Sequence, residues 1–370
     1  MKRLLLVGLV IVGLLMAGCG QKPKEPAASA PAAPAAPQKV IEIKMTGHMP
    51  IGQYCTDASL MFQKEVEEKT KGAIKFTYFP AGQLAMDNKA YDLCKSGGVQ
   101  MAEFFTSRAS GIIPEVMLSE IPCFENPDQY TRKVFDKTSG GALFPEFFKS
   151  AFEKQGFYIM PGFMHSPEHG TITKKPVRTM ADYNGLKVRV SGRAFGSAAK
   201  SWGAVPVIMT SSEVYTALQR GTIDGSNSAT TTFVSRKWYE VANHAQLLNE
   251  TSTMLYVLVN LDFWKTLSPE HQKIIKAALK KATIYSYEEG IKEYEENVKF
   301  LKSKGVEVFD FPTQAPQELE KIVKATYAAA ELDVKPQIKN EETWKRYLTI
   351  RDESKKGTLT WKQVIEGMEY

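Results

Sequence analysis

The sequence has few of the residues from which thiol and imidazole sites are built. It contains 4 cysteines and 5 histidines in 370 residues, and no cysteine lies in a C-x-x-C pattern or in a histidine-containing metal pattern. His165 and His169 are close in sequence, but Pro167 between them argues against a helix that would align their rings. We therefore expect no metal site.

The motifs of common enzyme classes are also missing. There is no G-x-S-x-G elbow, no P-loop, no G-x-G-x-x-G turn between a strand and a helix, and no H-E-x-x-H. Lysine and arginine do not cluster with aromatic residues, and a net charge of +6 is spread over helices that also carry glutamate. We expect neither an enzyme nor a nucleic-acid-binding protein, and we expect no cofactor. Binding of a small molecule is the class of function that is left.

One long apolar run, residues 4–16, begins the chain after Lys2 and Arg3. It is shorter than the roughly 20 residues that cross a bilayer core, and it leads into Ala17, Gly18 and Cys19. This pattern is typical of a lipoprotein signal peptide over residues 1–18, with lipidation of Cys19. An ordinary secretory signal is the alternative. Loss of Lys2 and Arg3 lowers the net charge from +6 to +4.

Residues 19–38 are rich in alanine and proline and contain too few large apolar side chains to form a core. They predict an extended tether between a lipid anchor and a folded domain. The expected location is therefore the periplasm or the cell surface, at a membrane.

From residue 39 onward, short strands alternate with amphipathic helices, which is typical of an α/β protein. Ile41, Ile43 and Met45 predict a first strand, and residues 187–190 begin a second unit of strand and helix. Roughly 330 ordered residues are too many for one hydrophobic core, so we expect two lobes. Residues 268–304 predict one long charged helix.

Arg189 stands out as a candidate ligand residue. It lies on a predicted strand whose apolar residues are Val188 and Val190, so its side chain points to the face opposite the core. A planar guanidinium suits bidentate capture of a carboxylate. Arg193, at the start of the next helix, adds a second cation beside a helix N-terminus. A solvated surface arginine is the alternative for either residue.

Several motifs in the same order resemble one receptor family. They are FPAGQL at residues 79–84, DYNG at 182–185, GLKVRV at 185–190, WGAVPVIM at 202–209 and SEVYTALQRGTIDG at 212–225. The chain is similar to the solute receptors of tripartite ATP-independent periplasmic (TRAP) transporters, of the DctP type. The resemblance runs from about residue 40 to near the C-terminus.

The resemblance implies a two-lobed periplasmic-binding-protein fold, type II-like, with a hinge and a long helix that spans both lobes. One lobe would comprise residues 39–165 and about 254–292, and the other residues 166–253 and about 293–370. The implied function is capture of a small organic anion and its delivery to TRAP membrane subunits. In the family, the arginine at the position of Arg189 forms the main salt bridge to the ligand carboxylate. A receptor of the same fold that serves a sensor or another transporter, or an enzyme on this scaffold, is the alternative.

Departures from the family pattern point to further site residues. Ser191 replaces the usual proline, and His169 stands near the place of a second family arginine, so we expect Arg193 to supply the lost cation with His169 as a polar partner. The acidic residue that often follows Asp224-Gly225 is absent, which removes a metal ligand that some relatives use. Asn227, Ser228 and Ser211 are expected to hydrogen-bond the ligand.

The first lobe would complete the site. Tyr54, Gln53 and Arg108 lie where relatives contact the ligand, and Phe105 stands where sugar-acid binders have a carboxylate. Phe104 and Phe105 point to opposite faces of a strand, so one of them belongs to the core. Apolar walls would suit an aromatic or short aliphatic carboxylate. Three further cysteines, Cys55, Cys94 and Cys123, permit at most one disulfide, whose pairing stays open.

Overall fold

The computed structural model of the chain describes residues 40–360, except 125, 127–128, 130, 133 and 135–142, together with residues 363–364. The predicted signal peptide, tether and lipidated Cys19 lie outside the described residues. In the described part of the chain, no helix is both long and apolar enough to cross a membrane.

Strands and helices alternate along the chain. The strands are β1 (Ile41–Thr46), β2 (Ile74–Phe79), β3 (Met101–Phe104), β4 (Phe157–Ser166), β5 (Gly170–Thr173), β6 (Lys187–Val190), β7 (Val205–Ile208), β8 (Gly225–Ser228), β9 (His244–Leu247), β10 (Thr253–Asn260) and β11 (Glu307–Asp310). The helices are α1 (Tyr54–Lys69), α2 (Asp87–Lys95), α3 (Lys149–Glu153), α4 (Arg193–Ser201), α5 (Val214–Arg220), α6 (Thr230–Ser235), α7 (Leu261–Thr266), α8 (Pro269–Ser303), α9 (Phe311–Gln314), α10 (Pro316–Ala329) and α11 (Glu341–Ser354). Short 3₁₀ turns such as Pro114–Ser119 connect several of them.

The strands form two separate sheets. Their orders are β2-β1-β3-β10-β4 and β11-β9-β5-β8-β6-β7. The chain leaves the first sheet after β4, returns to it at β10, and enters the second sheet again at β11 after α8. Two linkers, residues 167–169 and 248–252, therefore connect the sheets in addition to α8. This arrangement confirms the predicted two-lobed α/β fold.

The predicted periodicities match the burial of side chains in the first lobe. Ile43 and Met45 of β1 are fully buried. In α1, Ala58, Phe62 and Val66 recur every four residues and are also fully buried, as expected for the core-facing stripe of a helix. This stripe lies on the helix that packs against α8.

The long helix α8 begins where the sequence predicts. The Ser268 hydroxyl accepts a hydrogen bond from the His271 backbone N–H, and Pro269 occupies the first turn. Its 35 residues correspond to a length of about 50 Å. The helix packs against α1 and β4 of the first lobe and against α6 and β11 of the second. It therefore spans both lobes.

The C-terminal segment packs differently from the expectation that residues 293–370 all belong to the second lobe. Val334, Trp344, Tyr347 and Ile350 are buried in the same core cluster as the first sheet. Helix α10 does pack on the second lobe, where the Trp202 indole donates to the Thr326 hydroxyl at 2.8 Å. The chain thus crosses back to the first lobe after α10, because α11 offers large apolar side chains that the first lobe covers.

The cysteines of the folded part are thiols. Cys55, Cys94 and Cys123 are buried and none of them is in a disulfide. The Cys55 thiol donates to the Met164 carbonyl. They serve as small core residues in the described structure.

Gly162 of β4 allows close approach of β10, and its substitution tests this packing. A Cβ at Gly162 would lie 2.4 Å from the Leu255 carbonyl oxygen. We expect Gly162→Ala to lower the free energy of unfolding by about 1–3 kcal/mol, measured by urea denaturation. The control is Gly196→Ala in α4, where the nearest atoms lie at 3.8 Å and a gain of up to about 1 kcal/mol is expected. Equal stability of the two variants would contradict the close approach.

Candidate functional site

A cavity between the two sheets is lined by both lobes. Its volume is about 70 Å³ for the centres of water-sized molecules, several times the roughly 10–15 Å³ that one water needs. The first lobe contributes His48, Phe105, Arg108, Glu120, His165 and Tyr256, and the second contributes His169, Arg189, Phe195, Ser211, Ser228 and Thr232. The cavity therefore suits a small molecule.

The ends of neighbouring strands bring these side chains together. His48 follows β1 and Phe105 follows β3, and these two strands are parallel neighbours. In the second lobe β6 pairs in parallel with β7 and β8, so Arg189 near the end of β6 lies beside Ser211 and Ser228. Ligands of open α/β sheets bind at the carboxyl ends of strands for this reason.

Arg189 is the buried cation of the cavity. Its side chain is part of a residue that is only 2% exposed. The Nε atom donates to the Met209 carbonyl at 2.9 Å, and Nη1 donates to the Asn227 carbonyl at 3.2 Å. These two carbonyls, which follow β7 and belong to β8, fix the plane of the guanidinium. A fixed guanidinium plane at a cavity wall can receive a carboxylate without further ordering of the side chain.

The histidines of the cavity are neutral near pH 7. Burial lowers the pKa of His165 to about 3, with smaller contributions from His48, Arg236 and Arg189. Burial also lowers the pKa of His48 and of His169 well below the usual value. The cavity-lining arginines, and not imidazolium groups, therefore carry the positive charge.

The rings of His165 and His169 are held by one hydroxyl. Thr253 Oγ1 lies 3.0 Å from His165 Nδ1 and 3.0 Å from His169 Nε2. The other ring nitrogen of His169, Nδ1, is buried and has no hydrogen-bond partner among the described residues. His169 thus has a polar atom available to a ligand, as the sequence predicts for this position.

Phe104 and Phe105 divide between core and cavity. Phe104 is buried in the core, where its ring centroid lies 5.7 Å from that of Tyr91. Phe105 lines the cavity and packs edge-to-face against the rings of His48 and His165, at 4.9 and 5.0 Å between centroids. An aromatic wall therefore stands where a carboxylate was expected in sugar-acid binders.

Arg108 links the lobes at the edge of the cavity. Its Nη1 atom donates to the Ser191 carbonyl at 2.6 Å, which joins the turn after β3 to the turn after β6. Glu120 lies beside this contact, and burial raises its pKa to about 8 although Arg108 and Ser107 act to lower it. The cavity thus contains an acidic side chain that is mostly protonated at neutral pH.

Two more buried acids lie on the linkers between the lobes. Burial raises the pKa of Glu168 to about 8 and that of Glu250 to about 7. Glu168 accepts from the Thr230 hydroxyl at 3.2 Å, and Glu250 accepts from the Asn227 side-chain amide. The second carboxyl oxygen of each acid has no hydrogen-bond partner within the described structure.

The structure brings six predicted residues to the cavity, namely Phe105, Arg108, His169, Arg189, Ser211 and Ser228. Four others do not line it. The Asn227 amide is engaged by Glu250, and only its backbone carbonyl supports Arg189. The Tyr54 hydroxyl donates to the His165 carbonyl, and the ring packs on Gly290 of α8. Tyr54 is therefore a residue of the interface between α1, β4 and α8.

Gln53 and Arg193 also lie away from the cavity lining. Gln53 is 5% exposed, and neither end of its amide has a hydrogen-bond partner in the described part of the chain. Arg193 is exposed, and its Nη2 atom lies 3.7 Å from the place that a Cβ on Gly111 would take. The predicted replacement of a family arginine by Arg193 is not what this arrangement provides, because the side chain leaves the first turn of α4 toward the surface.

Sequence reasoning missed His48, Glu120, His165 and Thr232. His48 directly follows the carboxyl end of β1, so the rule that ligands bind at strand ends identifies its position. Glu120 follows a 3₁₀ turn, Pro114–Ser119, which carries no periodic signal. Only the fold places it in the cavity.

The fold and the cavity between its lobes define a solute-binding protein. The chain belongs to the DctP family, bacterial extracellular solute-binding protein family 7, whose model matches residues 48–333. This match confirms the resemblance seen in the motifs. The family is a class of receptors and not a class of enzymes.

Individual relatives are distant in sequence. The chain is 27% identical over 252 residues to the 2,3-diketo-L-gulonate-binding periplasmic protein YiaO of Escherichia coli K12, which covers 68% of this chain and 75% of the relative. Its fold is similar to that of DctP7 of Bordetella pertussis, a receptor that binds pyroglutamic acid, with a TM-score of 0.74 and 21% identity over 85% of this chain and 100% of that one. It is also similar to a TRAP periplasmic solute-binding protein of Sulfurospirillum deleyianum with bound succinate, with a TM-score of 0.75 and 24% identity over 84% and 99% of the two chains.

The buried acids predict a fall in stability as the pH rises. Folding raises the pKa of Glu168 and Glu250 above the usual value of 4.5, so the folded state binds protons more tightly than the unfolded chain. The resulting stability is fully present below about pH 4.5 and is lost as the pH passes about 7 and 8. We expect the melting temperature to fall between about pH 5 and pH 9, and Glu168→Gln to reduce that fall in calorimetry. Exposed Glu296→Gln is the control, and an equal effect of both variants would contradict the assignment.

Tyr54→Phe tests the assignment of Tyr54 to the lobe interior. The variant loses the hydrogen bond to the His165 carbonyl, so we expect the free energy of unfolding to fall by about 1–2 kcal/mol. Because Tyr54 does not line the cavity, ligand affinity should change by less than about threefold. Urea denaturation and calorimetric titration measure the two quantities. A large loss of affinity at unchanged stability would return Tyr54 to the site.

Proposed function

We propose that this protein binds a small organic acid in the cavity between its lobes and delivers it to the membrane subunits of a TRAP-type transporter. The observation that carries the proposal is Arg189, a guanidinium that is 2% exposed and lines the cavity. Its plane is fixed by the Met209 and Asn227 carbonyls. A carboxylate can therefore meet an ordered pair of donors.

The charge of the cavity supports an anionic ligand. The lining histidines are neutral because burial lowers their pKa values, and Glu120 is mostly protonated at pH 7 because burial raises its pKa to about 8. The cavity therefore has an excess of positive charge from arginine. An ion pair formed there is screened by water much less than a pair at the surface.

The lining and the ligands of related structures support a compact acid. Phe105, Phe195, Met49 and Met254 supply apolar wall, and structures of similar fold hold pyroglutamic acid, succinate and D-glucuronate. With Phe105 as an aromatic wall, an aromatic or short aliphatic carboxylate fits better than a heavily hydroxylated one. Binding alone is required of the site, with no chemical change of the ligand.

Closure and delivery follow from the two-lobed construction. Arg108 of the first lobe reaches the Ser191 carbonyl of the second, beside the cavity, so bending at the linkers would open and close access to Arg189. The lipid anchor proposed at Cys19 and the tether over residues 19–38 would hold the receptor near the membrane subunits. The place of action is the periplasm or the cell surface.

The test is a thermal-shift and calorimetric screen against mono- and dicarboxylates that are aliphatic, keto-substituted or aromatic. A ligand of the native state raises the melting temperature by mass action. We expect one class of acid to bind, and Arg189→Ala to weaken binding at least roughly 30-fold, since one partner of a buried ion pair is removed. Arg193→Ala is the matched control, because that arginine is exposed, and it should bind as the native protein does.

Two results would contradict the proposal. Arg189→Ala might retain the affinity of the native protein, in which case the cavity does not use this cation. Alternatively, no acid raises the melting temperature while an uncharged solute does, in which case the ligand is not an anion.

A further inference from the structure

Glu120 is an acid of the cavity that carboxylate capture by Arg189 does not use. The residue is 6% exposed and lines the cavity. Its Oε2 atom is buried and has no hydrogen-bond partner among the residues that the structure describes. An unsatisfied buried polar atom at the wall of a binding cavity is a place where a ligand group gains a hydrogen bond that water no longer supplies.

The fold sets Glu120 of the first lobe against the second lobe near Arg189. Oε2 lies 3.2 Å from the position that a Cβ on Gly192 would take, and Gly192 precedes α4 directly. Ser191, next to it, accepts from Arg108 through its carbonyl at 2.6 Å. Glu120 thus reaches the segment that follows the strand of Arg189, so both side chains border the same small space.

The neighbours of Glu120 favour a protonated carboxyl at neutral pH. Burial raises its pKa to about 8, while the Arg108 guanidinium and the Ser107 hydroxyl oppose the rise. Tyr256 is the titratable group on the β10 side, and Glu120 contributes to raising the pKa of that phenol. A bound anion adds negative charge, which favours the protonated acid further.

We propose that Glu120 is a specificity-determining residue, whose carboxylic acid donates a hydrogen bond to a second oxygen of the ligand, away from the carboxylate on Arg189. The inference rests on the proposed function and narrows its substrate class to acids with a second oxygen acceptor, such as a dicarboxylate or an oxo acid. A ligand without that oxygen leaves the buried O–H unpaired, and sites built for a polar group reject such analogues strongly.

A matched series of acids tests the inference with the full-length chain. The probes are succinate against butyrate, adipate against hexanoate, and phthalate against benzoate, titrated calorimetrically at about pH 6.5 and pH 9. In at least one pair we expect the acid with the second carboxylate to bind tenfold or more tightly at pH 6.5. Its affinity should fall about tenfold per pH unit above pH 8, because binding then requires uptake of one proton.

Two variants separate donation from other roles. Glu120→Gln keeps an N–H donor of similar shape, so it should retain the preference within the pair but lose the proton uptake. Glu120→Leu removes the donor, so it should lose the preference and still bind the monocarboxylate. Glu168 and Glu250 titrate in the same range, and the difference in pH dependence between the native protein and Glu120→Gln removes their contribution.

Proton uptake by the native protein, measured in two buffers of different ionisation enthalpy, provides a readout that needs no variant. Absence of a preference in every pair overturns the inference, whether the monocarboxylates bind equally or no probe binds. Loss of the preference in Glu120→Gln, with affinity that rises with pH, also overturns it, since Glu120 would then accept from a ligand cation. If Arg189→Ala abolishes binding while both Glu120 variants match the native protein, this inference alone fails. If Arg189→Ala binds normally, the proposed function fails as well.

Discussion

The burial of one guanidinium is the constraint on which the site depends. Arg189 is held between the carbonyls of Met209 and Asn227, so its position requires β7 and β8 to flank β6 in parallel. A buried arginine with a fixed plane costs much less to order when a carboxylate arrives than a mobile surface arginine does. The second lobe supplies this cation, and the first lobe covers it.

Burial also decides the charge of every other titratable group around the cavity. It keeps His48, His165 and His169 neutral, and it holds protons on Glu120, Glu168 and Glu250 at pH values where exposed glutamates are ionised. A site that contains acids and histidines is therefore a site with net positive potential. Formal charge counted from the sequence does not give this result, because it assigns each group its value in water.

The parts of the fold that depend on local pattern were predictable. The alternation in β1, the buried stripe of α1 and the cap of α8 at Ser268 are each encoded by neighbouring residues. Arg189 was predictable from the pattern of its strand and from the resemblance. Asn227 and Arg193 were placed in the site by position in a motif, and the structure turns one side chain to Glu250 and the other to the surface.

The sequence by itself determined the class of the protein, the two-lobed α/β fold and the arginine of the cavity, because period, caps and an ordered set of motifs are local properties of the chain. Only the tertiary structure decided which groups share the cavity with Arg189. Glu120 and Arg189 are far apart in sequence and come from different lobes, and the C-terminal helix α11 returns to the first lobe. Such proximity, and the pKa values that it sets, arise only when the two sheets are brought face to face and water is excluded between them.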